Sequence, residues 1–143
     1  MHQILLVDDE PNFLDAMERH FRPYRQEWTL ITAGNGKEAL ALIQKHPFDL
    51  VITDILMPEK EGLEMIRELR RTHPKIRIIA ISGGGRLVGT DMLQCARWLG
   101  AHQTLEKPFH PHILVNTVRA LLTTPPNETP ALLSGHETNP VCR

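Results

Sequence analysis

Cysteine is scarce in this chain of 143 residues: there are only two, Cys95 in a helix-patterned stretch and Cys142 near the end. They offer neither a metal-ligand pair nor a disulfide framework, and such usage fits a reducing, cytoplasmic setting. Long apolar runs are lacking too, since the start, MHQILLVDDE, reaches acidic residues after four apolar ones. That is too short for a signal-peptide core, and nothing approaches the roughly 20 residues of a membrane span, so no membrane partner is expected. Neither sign of charge dominates, with 16 Lys and Arg against 17 Asp and Glu and a formal net charge of -1. A balance of this kind lacks the electrostatic footprint of a nucleic-acid binder, and no direct nucleic-acid contact is expected. No internal repeat is visible. The length is that of one ordinary domain with a core of its own.

What the sequence does contain is alternation. Four short apolar runs, Ile4–Val7, Trp28–Ala33, Leu50–Ile52 and Ile76–Ile81, are separated by helical patterns. Pro11 suits a first helical position, and Phe13, Leu14, Met17 and Phe21 recur at helical spacing until Pro23. Asn35 and Glu38 resemble a capping box opening a helix from Lys37 to His46, with Ala39, Leu40 and Ile43 on one face. Leu63, Ile66 and Leu69 form a third stripe, with Glu64/Arg67 and Glu68/Arg71 on its wet side. Thr90 is placed to cap a fourth helix carrying Met92, Cys95, Ala96 and Leu99 before Gly100. Pro111 opens a fifth, with Leu114, Val118, Leu121 and Leu122 inward.

Five strand–helix alternations predict an α/β fold, a doubly wound five-stranded parallel sheet with five helices on both faces. Strands at 3–8, 49–54 and 77–82 are nearly continuous Val, Ile and Leu and belong in the middle of the sheet. Trp28–Ala33 and Gln103–Lys107 are interrupted by polar residues and belong at its edges, which gives the flavodoxin-like order 2-1-3-4-5. Residues 1–123 form the domain; from Thr124 the chain turns Pro-rich, and 124–143 reads as a disordered tail. That tail is too short for a helix-turn-helix output module, so the chain either acts alone or belongs to a longer regulator.

Ligands of such sheets sit outside the carboxyl ends of the strands, at the switch point between the first and third. There the sequence puts Asp8 and Asp9, Asp54, Ser82, and Lys107 with Pro108. Three carboxylates about 4–6 Å apart would repel by several kcal/mol at an effective dielectric of about 20, so they call for a cation. An all-oxygen set suits Mg2+, which takes one or two carboxylates and leaves positions for water and phosphate oxygens. A carboxylate beside such an ion can attack phosphorus. Asp54 is the candidate nucleophile, Asp9 and Asp54 the candidate metal ligands, and Ser82 and Lys107 the groups for the phosphoryl oxygens.

ILLVDDE, DLVITDILMP followed by EGLE, IIAISG and GAHQTLEKPF, in that order over roughly residues 2–123, resemble the receiver domains of two-component response regulators, the CheY-like superfamily. The resemblance implies a phosphorelay switch: Asp54 accepts phosphate from a histidine kinase or phosphotransfer protein, and the altered surface binds a downstream protein or a second copy. It implies that Asp9 binds Mg2+ directly, that Asp8 helps through water and that the Leu56 carbonyl is a further ligand. It also implies contacts from Ser82 and Lys107 to the phosphoryl group and a cis Lys107–Pro108 bond. One departure stands out. The switch position, often Tyr or Phe in the family, is Thr104, which weakens the expected coupling of a hydroxyl residue and an inward-turning ring.

Competing readings are weaker. Asp8 and Asp9 alone would suit a helix N-terminus. An Asp-nucleophile phosphatase usually has a second acid two residues on, where Leu56 stands here, and a flavin carrier would place phosphate against Asp8-Asp9-Glu10-Pro11. A receiver-like scaffold that is never phosphorylated is the alternative Thr104 leaves open. The chain is not expected to be an enzyme beyond promoting its own phosphorylation and dephosphorylation. His110 and His112 read as capping or exposed groups because no third ligand is indicated. Met57 and Met65 read as packing, Trp98 as partly buried helix surface, and Arg86, Arg97 and Arg119 as solvated charge by default, with a partner-binding surface as the alternative.

Overall fold

The computed structural model describes residues 1–55, 61–83 and 94–123. In chain order these form β1 (His2–Val7), α1 (Pro11–Phe21), a 3-10 turn (Arg22–Tyr24), β2 (Trp28–Ala33), α2 (Gly36–Lys45) and β3 (Leu50–Asp54). Then follow α3 (Glu61–Thr72), β4 (Arg77–Ser82), α4 (94–99), β5 (Gln103–Glu106) and α5 (Pro111–Thr123). The sheet is parallel throughout and ordered β2-β1-β3-β4-β5, with the two polar-interrupted strands at the edges. No helix among the described residues is long and apolar enough to cross a membrane. The expected cap Thr90, Met57, Met92, Arg86 and the stretch 124–143 lie outside the described residues.

The two-residue period of the strands divides the core. Leu5, Val7, Val51, Ile55, Ile78 and Ala80 pack with Ala39 and Ile43 of α2, Met65, Ile66 and Leu69 of α3, and Ala96 of α4. Ile4, Leu6, Leu50, Ile52, Ile79 and Ile81 point the other way, against Met17 and Phe21 of α1 and Leu114, Val115 and Val118 of α5. Both faces of β1, β3 and β4 are therefore dry, and this is why those strands read as continuous Val, Ile and Leu.

Local chemistry fixes the helix ends. Pro11 sits in the first turn of α1. The Asn35 side chain accepts from Glu38 N at 2.8 Å, while Glu38 Oε2 accepts from Gly34 N at 3.3 Å, one residue further back than a reciprocal capping box. At the end of α4, Gly100 adopts φ +124°, and a Cβ there would collide with the Arg70 side chain, so glycine is required twice over. His110 and His112 stack at 4.7 Å, with His110 Nδ1 accepting from His112 N, a local turn rather than a metal pair. Cys95 is buried on α4, and Cys142 lies outside the described residues.

Candidate functional site

The carboxyl edge of the sheet gathers the polar residues that the core excludes. Of the described residues, the buried polar ones are Asp8, Thr53, Asp54 and Ser82, between 0 and 3% exposed, and all lie at or just beyond the ends of β1, β3 and β4. The strand period explains the convergence. Asp54 follows Leu50 and Ile52, and Lys107 follows Leu105, in two-residue steps on the face toward α1 and α5.

Lys107 Nζ joins the acids. It donates to Asp8 Oδ2 at 2.8 Å, lies 3.5 Å from Asp54 Oδ2, and stands 3.9 Å from Glu10 Oε1. Burial alone would pull the Lys107 ammonium below its ordinary value, but the Asp8 hydrogen bond and the charges of Asp8, Asp54 and Glu10 outweigh it and raise the pKa. The other Asp8 oxygen accepts from Glu10 N at 2.8 Å, fixing the turn between β1 and α1. Ser82 is fully buried, and its Oγ has no hydrogen-bond partner among the described residues, although Lys107 N donates to its carbonyl at 2.8 Å. A buried hydroxyl without a partner costs about 1–3 kcal/mol, and an incoming anionic oxygen would relieve it.

Backbone packing keeps the site tight. A Cβ on Gly62, in the first turn of α3, would collide with Asp54 O and Ile55 Cα, so α3 approaches the end of β3 only because glycine is there. A Cβ on Gly83 would come within 3.8 Å of Lys107 Cδ and 3.9 Å of Asp54 Oδ2, which places that residue at the pocket wall. The Lys107–Pro108 peptide is cis. Thr104 is half-buried on β5 and pairs with Ala80 of β4.

Oxygen ligands for a metal are present. Carboxylate oxygens of Asp8, Asp9 and Glu10 lie within 4.8 Å of one another, with Asp9 and Glu10 open to solvent. Such a set fits a hard cation that keeps part of its water shell. Glu10 is the member the motif reading passed over, although it directly follows the two aspartates. Phe13 was read only as core, yet its ring lies under the Lys107 ammonium, 3.9 Å from Nζ to the centroid. Leu56, whose carbonyl the resemblance nominates, lies outside the described residues.

A doubly wound parallel sheet with paired acids, a buried hydroxyl and a lysine meeting at its switch point defines a class of aspartate-based signalling domains. The family model of the response regulator receiver domain matches residues 4–119, and the chain belongs to that family. It is 34% identical over 122 residues to the transcriptional regulatory protein CpxR of Klebsiella pneumoniae, covering 85% of this chain and 50% of that protein. Against response regulator SaeR of Staphylococcus aureus the identity is 32% over 123 residues, covering 86% and 51%. The chain thus spans about half the length of the curated relatives it matches. Among solved structures, the response regulator TrrA of Thermotoga maritima in complex with Mg2+ and BeF is 32% identical, with TM-score 0.71 over 85% of this chain and 99% of that one. The receiver domain of NtrX from Brucella abortus is 31% identical, with TM-score 0.73 over 85% and 99%.

Proposed function

We propose that Asp54 is the phosphoacceptor of a two-component phosphorelay, within a receiver unit of residues 1–123. An Asp54 carboxylate oxygen attacks the phosphorus of a phosphohistidine on a histidine kinase or phosphotransfer protein. The P–N bond breaks, its electron pair returns to the imidazole, and that nitrogen takes up a proton from solvent. Lys107 lies between Asp8 and Asp54 and has only to lean toward the new phosphoryl oxygens, while Ser82 Oγ gains the acceptor it lacks. Asp8, Asp9 and Asp54 would hold Mg2+, and the family resemblance adds the Leu56 carbonyl as a further ligand. The ion, when bound, neutralises charge on the carboxylates and the transferring group.

The observation that carries this reading is the meeting of Asp8, Asp54 and Lys107, from three separate strand ends, within 3.5 Å of one ammonium. TrrA, solved with Mg2+ and BeF, supports it by family likeness. Phosphorylation then alters the surface offered to a downstream protein or a second copy, in the cytoplasm, and the chain catalyses at most its own phosphorylation and dephosphorylation. A net charge of -1 speaks for a protein partner over direct nucleic-acid contact. Incubation with acetyl phosphate and Mg2+, read by intact mass, tests it. Wild type gains one phosphoryl group, and Asp54→Ala gains none. Modification of both, or of neither, overturns the assignment, and modification of neither leaves the scaffold reading.

A further inference from the structure

Lys107 is held by more than carboxylates. Its Nζ sits 3.9 Å from the centroid of the Phe13 ring. Phe13 lies in the first turns of α1, half-buried, and meets Phe109 edge-on at 6.3 Å with an interplanar angle of 83°. Phe109 follows the cis Lys107–Pro108 bond, so the two rings bridge α1 and the turn that carries the lysine. Both pack onto the α1–α5 core. The ammonium thus contacts Asp8, Asp54 and an aromatic face at once, and the side chain is 16% exposed.

We propose that Phe13 is a positioning residue for phosphoryl transfer at Asp54, a role resting on the function proposed above. A four-carbon lysine stem has many rotamers, and an ammonium in water has no reason to remain over two acids rather than swing outward. The negative face of the ring attracts the cation and excludes water from it, which narrows those rotamers to the ones aimed at Asp54. An aliphatic residue fills similar volume but has no quadrupole. The role therefore requires an aromatic ring, not merely an apolar side chain.

Three variants separate this from packing: Phe13→Leu, Phe13→Tyr and Phe13→Trp. The initial rate of phosphorylation by acetyl phosphate with Mg2+ is expected to fall about three- to tenfold in Phe13→Leu, the size of a partly desolvated cation–π contact. Phe13→Tyr or Phe13→Trp is expected to restore it to within about twofold. A second readout needs no phosphate. In NMR spectra with labelled lysine, ring current shifts the Lys107 Hε signal upfield in wild type and Phe13→Tyr, and the shift disappears in Phe13→Leu. The signal is assigned by its loss in Lys107→Arg. A folded Phe13→Leu with the wild-type rate, Phe13→Tyr as slow as Phe13→Leu, or an unshifted Hε in wild type overturns the proposal. If wild type takes no phosphate yet the upfield shift is present and follows the ring, the phosphoacceptor reading fails while the ring's hold on Lys107 stands.

Discussion

The two ends of the sheet bury a basic side chain each, and treat it in opposite ways. At the carboxyl end, Lys107 meets Asp8, Asp54 and Glu10, and its pKa is raised despite burial. At the amino end, His102 precedes β5, and its Nδ1 accepts from Ile78 N at 3.1 Å. Burial, followed by the nearby Arg70 and Arg77 cations, pulls His102 from 6.5 down to about 4. Arg70 is also lowered by burial, and its guanidinium donates to the Ile76 carbonyl. One end holds a charge in place with opposing charges; the other gives His102 and Arg70 one backbone contact each and no opposing charge that lifts their pKa. The first arrangement can answer an incoming anion, whereas the second serves the join between α3, β4 and β5.

Replacing Lys107 by Met removes the cation that contacts Asp8 and Asp54, and is expected to slow phosphorylation about a hundredfold. Time courses with acetyl phosphate and Mg2+ check this, and an unchanged rate would break the contrast between the two ends. Gly100→Ala strikes the amino end, where positive φ combines with collision against Arg70, and is expected to destabilise by about 2 kcal/mol. Urea titration measures it, with phosphorylation of the folded fraction unaffected.

The smallest effect sharpens the sign. His102 has a folded pKa below its unfolded one, so its contribution to stability is present above 6.5 and is lost as pH falls toward about 4. His102→Gln is expected to flatten that part of the stability–pH curve. Lys107 has the opposite sense: its contribution is full below the ordinary 10.5 and is lost as pH rises through its raised value. Chemical denaturation at stepped pH, with and without His102, decides whether the amino-end base behaves in this way.

Most of the fold was legible because strands buried on both faces cannot hide: β1, β3 and β4 have apolar interiors with polar residues only at their ends, whereas edge strands β2 and β5 admit polar residues in mid-strand. Asp8, Asp54, Ser82 and Lys107 were legible for the converse reason, as polar residues ending apolar runs. Phe13 was not, because helical spacing marks a ring as apolar and cannot show that its face lies under a cation from residue 107. Gly100 was placed only as the stop of the fourth helix, and the close approaches that require it and Gly62 were not legible because they are tertiary. His102 carried no pattern at all; its Nδ1 contact with Ile78 N spans 24 positions of the chain.

Borohydride trapping tests the central claim most directly. Reduction of an aspartyl phosphate leaves homoserine, so protein treated with acetyl phosphate and Mg2+, then reduced and digested, is expected to show homoserine at position 54 and at no other aspartate. Homoserine at Asp8 or Asp9, or unmodified Asp54 in protein that has gained phosphate, would contradict the account.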